Sequence, residues 1–256
     1  MLAEGFLITS RIYDGFKPGI ASTLPEFAIS SYTPTVRALV DIVKTPREFD
    51  KEKSGLFMIS QPDTPCLPRI PGTTEEVRRV ERKLTSQDIQ VLRLDSAAAT
   101  VERGIENMKA YSCIHLACHA EQNTVKPLKN GFSLYDGRLE LSSILQQRLV
   151  GADLAFLSAC QTSAGDEKLS EEAVHLAAGM LAAGYRGAVA TMWSIRDEHG
   201  PVIAEDFYSN LTQDSEGLSG EHAARALHHA TQNLRKSLDD SELALLTWVP
   251  HVHFGL

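Results

Sequence analysis

The feature that most constrains this chain is a set of short runs that are apolar nearly throughout: Leu56 to Ser60 (LFMIS), Tyr111 to Ala117 (YSCIHLA), Ala152 to Ala159 (ADLAFLSA) and Gly187 to Trp193 (GAVATMW). A strand with one face in water alternates apolar and polar residues, whereas a strand covered on both faces does not. Between these runs lie segments with helical periodicity. Strands of this kind alternating with helices predict a mostly parallel central sheet between two helical layers. The expected fold class is therefore α/β, a three-layer α/β/α sandwich.

The helices are read from their stripes and ends. Thr73 stands three residues before Glu76 in the pattern of a capping box, and Val77, Val80 and Leu84 follow on one face. IQVLRL (Ile89 to Leu94) is a further strand, and Thr100 to Ala110 a helix, while Leu141 to Leu149 is a shorter amphipathic segment. The clearest helix carries Ala173, Leu176, Ala177, Met180 and Leu181 on one stripe, Glu171 and Glu172 in its first turn and Gly184 past its end. Two more are expected around Pro201 to Leu211 and Ser219 to Lys236. Pro18, Pro25, Pro34 and Pro46 break up the first fifty residues, where only Val36 to Val43 reads as a helix.

Composition removes several function classes. The 256 residues carry 25 Lys and Arg against 33 Asp and Glu, a net charge of −8 with no basic run. A partner held by phosphate neutralisation, such as nucleic acid, is not expected. No apolar run reaches the roughly 18 residues of a membrane span, and the opening MLAEGFLITSR is too short and lacks the basic start of a signal peptide. Four cysteines (Cys66, Cys113, Cys118, Cys160) are too few and too scattered for a disulfide scaffold, which points to a reducing, cytoplasmic setting. No glycine-rich phosphate loop follows any strand, so neither a nucleotide nor any other cofactor is expected. Cys113, His115, Cys118 and His119 have the residue types of a zinc site. On one strand and its end, however, they cannot converge on an ion, and no metal is expected.

In open parallel sheets, ligands bind outside the carboxyl ends of the strands. Two strand ends carry reactive groups: Cys118-His119-Ala120, and Ser158-Ala159-Cys160-Gln161-Thr162. A thiol and an imidazole on neighbouring strand ends are the parts needed for covalent acyl transfer, with the backbone N–H groups of Ala120 and Cys160 available to an oxyanion. Spacing alone leaves the bland reading open, in which Cys160 is a small buried hydrophobe and His119 a structural residue.

The strings IHLACHA and LAFLSACQTSAGDEKLSEEAVHLAAGMLAAGYRGAVATMWSIRDE closely resemble the CHAT-domain family of caspase-like proteins, relatives of the separases. SSYTPTVRAL, QPDTPCLPRIPGTTEEV, LYDGRLELSSI, FYSNL and WVPHVHFGL resemble the same family in the same order. The resemblance implies a caspase-like domain over residues 31–256 behind an atypical segment, 1–30. It makes His119 the catalytic histidine and Cys160, 41 positions later, the nucleophile of a cysteine endopeptidase that cleaves protein or peptide substrates through a thioester. Regulatory protein modules are possible further partners.

Asp197 and Glu198 fall where arginine-specific relatives place a specificity acid, with Trp193 as pocket wall; Asp197 could instead cap a helix starting near Glu198. Two departures favour an alternative, an inactive caspase-like module acting in regulatory protein interactions. Ala120 replaces the family's usual glycine, and the stretch before Ser30 lacks the expected front strand and histidine-containing turn. His228 and His229 read as solvated, and His251 and His253 as packing residues on one face of a terminal strand.

Overall fold

Short β-branched and aliphatic runs need partners on both edges and both faces, and in the computed structural model they find them in one sheet. The structure describes residues 7–12, 28–44, 54–121, 123, 125–161, 172–193, 195–213, 217–239 and 241–255, with backbone alone at 7–12, 41, 159–161, 172–175 and 242. Ten strands are described: β1 (Leu7–Ile12), β2 (Ala28–Thr33), β3 (Leu56–Ser60), β4 (Val91–Asp95), β5 (Cys113–Glu121), β6 (Gly131–Ser133), β7 (Arg138–Glu140), β8 (Leu154–Gln161), β9 (Gly187–Thr191) and β10 (His251–Gly255). The main path runs β1-β2-β10-β9-β8-β5-β3-β4. The centre, β9-β8-β5-β3-β4, is parallel throughout.

Helices α1 (Val36–Lys44), α3 (Val101–Ala110), α4 (Leu141–Leu145) and α5 (Glu172–Ala182) belong to one face, and α2 (Gly72–Thr85), α6 (Gly200–Leu211), α7 (Ala223–Ser237) and α8 (Glu242–Trp248) to the other. Each face has its own core. Ile114, Leu116, Cys118 and Ala120 of β5 join Leu157, Met180 and Phe254 on one side. Cys113 and Ala117 join Phe156, Val77, Val80, Phe207 and Leu227 on the other. Full burial of a β5 side chain such as Ile114 or Leu116 contributes about 1.5–3 kcal/mol, and the central strands carry a run of such residues. The three-layer, mostly parallel architecture agrees with the sequence expectation.

The elements differ from that expectation mainly at their ends. β5 continues past Ala117 to Glu121, because β8 pairs with it through Ala120 and the β6–β7 hairpin adds at Ala120 and Glu121. Pairing on both edges overrides the polar character of His119 and Glu121. β8 likewise runs on to Gln161, and β9 stops at Thr191. The capping box does not form: Thr73 Oγ1 donates to Ile70 O at 2.9 Å, while Glu76 is buried against the sheet.

The proline-broken front holds two strands that the sequence reading did not contain. β1 and β2 are antiparallel, and β2 lies parallel to β10. The signal was weak because AISSYT is half polar; its Ser31 is used instead to join β2 to β10, its hydroxyl 2.7 Å from His253 Nδ1 and donating to Gly255 O at 2.9 Å. Glu171 lies outside the described residues. Gly184, with φ +118°, ends the turn after α5 against the Leu149 carbonyl, as the sequence placed it.

Candidate active site

The segment between β3 and α2 is short, rich in proline and braced on itself. Gln61 N–H donates to Ala117 O at 2.9 Å, Ile70 N–H to Pro62 O at 3.0 Å, and Arg69 pairs with Asp63. Such bracing fixes backbone carbonyls that a loose loop could not hold in place. One of them, Pro68 O, stands 2.7 Å from His119 Nε2. A carbonyl only accepts, so Nε2 carries the proton and Nδ1 is the lone-pair atom of the neutral ring. His119 is only 2% exposed, and Nδ1 has no hydrogen-bond partner among the described residues.

The register of the central strands places Cys160 directly beside it. β5 and β8 run parallel with His119 paired to Cys160, so the two backbones stand one strand spacing apart, about 4.8 Å. Ala120 is 2% exposed and pairs both with Gln161 of β8 and with Phe132 of β6. Ala120 therefore has strand neighbours on both edges and is not at a free strand end.

Beneath these positions, on the face covered by α2 and α6, lies a cavity of about 20 Å³, room for one water-sized group. Thr73, Glu76, Ser158, Thr191, Asp197 and Gly200 line it. Asp197 caps a helix, but not the expected one: its Oδ2 accepts from Gly72 N–H at 2.6 Å, at the start of α2, whereas α6 begins at Gly200. A carboxylate there suits the positive end of the helix dipole. Glu198 points to solvent, with Arg196 at 3.7 Å and His199 at 3.6 Å. Trp193 is half-buried and its indole N–H donates to Leu246 O of α8 at 2.9 Å.

Sequence reasoning missed one group. Glu76 Oε1 lies 2.9 Å from His115 Nε2, and Ser158 Oγ donates to Glu76 Oε2 at 2.9 Å. The signal was present, since Thr73, Glu76, Val77, Val80 and Leu84 share one helical stripe, which put a carboxylate on the buried face. Gly200 leaves room for it: a Cβ there would approach Glu76 Oε2 to 2.8 Å. Among the described residues no group of three His, Cys, Asp or Glu side chains could hold a metal ion, and no helix is long and apolar enough to cross a membrane.

The profile of the CHAT domain matches residues 21–255. The chain belongs to the CHAT domain family. Among solved structures, this CHAT domain is similar to the Arg-specific cysteine proteinase gingipain R, with a TM-score of 0.59 and 12% identity over 86% of this chain and 51% of that one. It is similar also to a complex of the pro- and mature domains of RgpB from Porphyromonas gingivalis, with a TM-score of 0.57 and 12% identity over 86% of this chain and 52% of that one. The chain thus spans about half the length of these structures, and at such identity the likeness concerns the caspase-like cysteine-proteinase fold alone. No curated protein matches the sequence significantly.

Proposed function

We propose that this CHAT domain is a cysteine endopeptidase with His119 and Cys160 as its dyad. The observation that carries the reading is the pairing of positions 119 and 160 across β5 and β8, with His119 held at Nε2 by Pro68 O so that Nδ1 is left as the base. In this reaction the Cys160 thiol gives its proton to His119 Nδ1, and the thiolate attacks the peptide carbonyl, forming a carbon–sulfur bond as the carbon–oxygen π pair moves onto the oxygen. The oxyanion is held by the Ala120 and Cys160 N–H groups. Collapse breaks the carbon–nitrogen bond as protonated His119 gives its proton to the leaving amine. Water then attacks the thioester, His119 takes its proton, and the carboxylic acid and thiolate are released.

Asp197, half-buried at the start of α2, is proposed to attract a basic substrate side chain from outside the cavity, which itself has room for one water-sized group only. Its Oδ2 is occupied by Gly72 N–H, which holds the carboxylate in place. Glu198 is proposed to add a screened attraction from the surface, and Trp193 to form an apolar wall against α8. We propose 31–256 as the working unit, protein or peptide substrates as its partners, and the cytoplasm as its location, where a thiolate stays reduced.

The second reading is an inactive regulatory module. It is favoured by the two-sided pairing at Ala120, which competes with an oxyanion for that N–H, and by the burial of His119. The test is labelling by a peptide bearing a thiol-reactive electrophile, read by mass spectrometry. Labelling of Cys160 that His119→Ala slows about 100-fold or more supports the peptidase. A folded protein whose Cys160 is not labelled under reducing conditions supports the module.

A further inference from the structure

The buried group around Glu76 touches all three chain segments on which the proposed dyad depends. Ser158, which donates to Glu76 Oε2, lies two residues before Cys160 on β8. His115, whose Nε2 lies against Glu76 Oε1, stands four residues before His119 on β5. Glu76 itself is on α2, which begins where the loop carrying Pro68 ends, and Pro68 O fixes the His119 ring. His115 is held in turn, stacked on Phe156 with centroids 4.7 Å apart and with Nδ1 3.2 Å from the Tyr208 hydroxyl.

Burial of a carboxylate is costly unless it is hydrogen-bonded, and an apolar residue would fill this position at less cost to folding. Glu76 is 2% exposed with both oxygens engaged. We infer that Glu76 is a positioning residue for the reaction proposed above, a single charged anchor that sets β8, β5 and the Pro68 loop relative to one another and so sets the approach of His119 to Cys160. The inference rests on the peptidase reading.

The anchor also acts through its charge. The titratable groups around it are His115 and Cys118 of β5, Tyr208 of α6 and, across the cavity, Asp197 of the segment after β9. Burial pushes the Cys118 thiol up to about 12, with the Glu76 charge adding to it, and Tyr208 is raised well above its ordinary value by burial, by Cys113 and by Glu76. Cys118 is the residue next to His119, so the field of Glu76 reaches the strand end. Loss of a negative charge lowers the pKa of every neighbouring group.

The experiment uses the intact chain and follows two readouts: peptide cleavage, and the pH profile of iodoacetamide alkylation of the Cys160 peptide by mass spectrometry. Glu76→Gln is expected to move the alkylation profile to lower pH and to reduce kcat about 10-fold or more. Ser158→Ala, which retains the charge and tests the tether where Glu76→Gln fails to fold, is expected to reduce kcat about 3- to 10-fold with KM within about twofold, and Ser158→Thr to restore it. Altered melting temperatures with kcat and alkylation profiles superimposable on wild type would overturn the inference. If the wild type cleaves no peptide, the peptidase reading fails and takes the catalytic part of the inference with it; the alkylation profiles then decide the remaining part, that Glu76 sets the surroundings of Cys160, which a displaced profile in the Glu76→Gln protein upholds and an unmoved one overturns.

Discussion

The two faces of β5 are built from alternate residues of one strand and do different work. Ile114, Leu116, Cys118 and Ala120 meet an apolar layer of Leu157, Phe132, Ile144 and Met180. On the opposite face the same strand carries His115 and His119 among apolar neighbours, and β10 adds His251 and His253 beside its own Val252 and Phe254, which join the apolar side. Four buried imidazoles on β5 and β10 thus share the side covered by α2, α6 and α7, and one of them, His115, meets Glu76 of α2 and Tyr208 of α6. An apolar face can hold the sheet together with any side chains of suitable volume. The other face has to hold buried polar groups, and contacts such as those of Glu76 with His115 and Ser158 lead toward the strand ends, while His119 Nδ1 and His253 Nε2 have no hydrogen-bond partner among the described residues.

If this division is correct, changes on the two faces separate activity from stability. The largest effect is expected from His119→Ala, which lowers cleavage of a peptide substrate about 100- to 10,000-fold, measured as kcat with wild-type and variant protein at equal folded concentration. Activity within a factor of ten of wild type would show that the histidine-bearing face does not carry the chemistry. On the apolar face, Leu116→Ala is expected to cost about 2–5 kcal/mol in a urea melt while kcat of the folded fraction stays within about twofold. A large loss of kcat at full folding would break the comparison from the other side.

A pH dependence follows from the same asymmetry. Burial lowers His251 and His253 to about 4 from the 6.5 of the unfolded chain. For His251 the Trp248 carbonyl opposes that shift and His199 adds to it. Between these values the unfolded chain binds more protons than the native one, so stability falls as pH drops from about 6.5 to about 4, by at most about 3 kcal/mol for each histidine. Urea midpoints at pH 7 and pH 5 measure this, and His253→Gln should flatten the fall. Equal midpoints would mean that these imidazoles are solvated. The smallest effect is expected at the surface: Glu198→Gln lowers kcat/KM for a basic peptide about twofold at low salt, and the difference disappears as salt is raised.

Much of this was legible in the sequence, for reasons that differ by region. LFMIS, LAFLSA and GAVAT read as covered strands because they are covered on both faces. His119 and Cys160 were legible as a pair from their places at two strand ends, and the resemblance of the strings around them to the CHAT family set that reading above a structural one. The front was not legible, since β2 is held in place by β10 and by Ser31, a contact 222 residues away in sequence. Glu76 was misread because a glutamate three residues after a threonine fits a cap, although the stripe it shares with Val77, Val80 and Leu84 already put its carboxylate on the buried face. The ends of β5 and β8 were drawn short where polar residues begin, although those ends carry His119 and Cys160, the residues of the proposed dyad.

The central claim is that positions 119 and 160, paired across β5 and β8, form a working dyad. Cleavage-site profiling of a proteome with wild type and Cys160→Ala side by side tests it most directly. The account predicts a set of cleavages, enriched after basic residues, that is present with wild type and absent with Cys160→Ala. Identical profiles for the two proteins would contradict it.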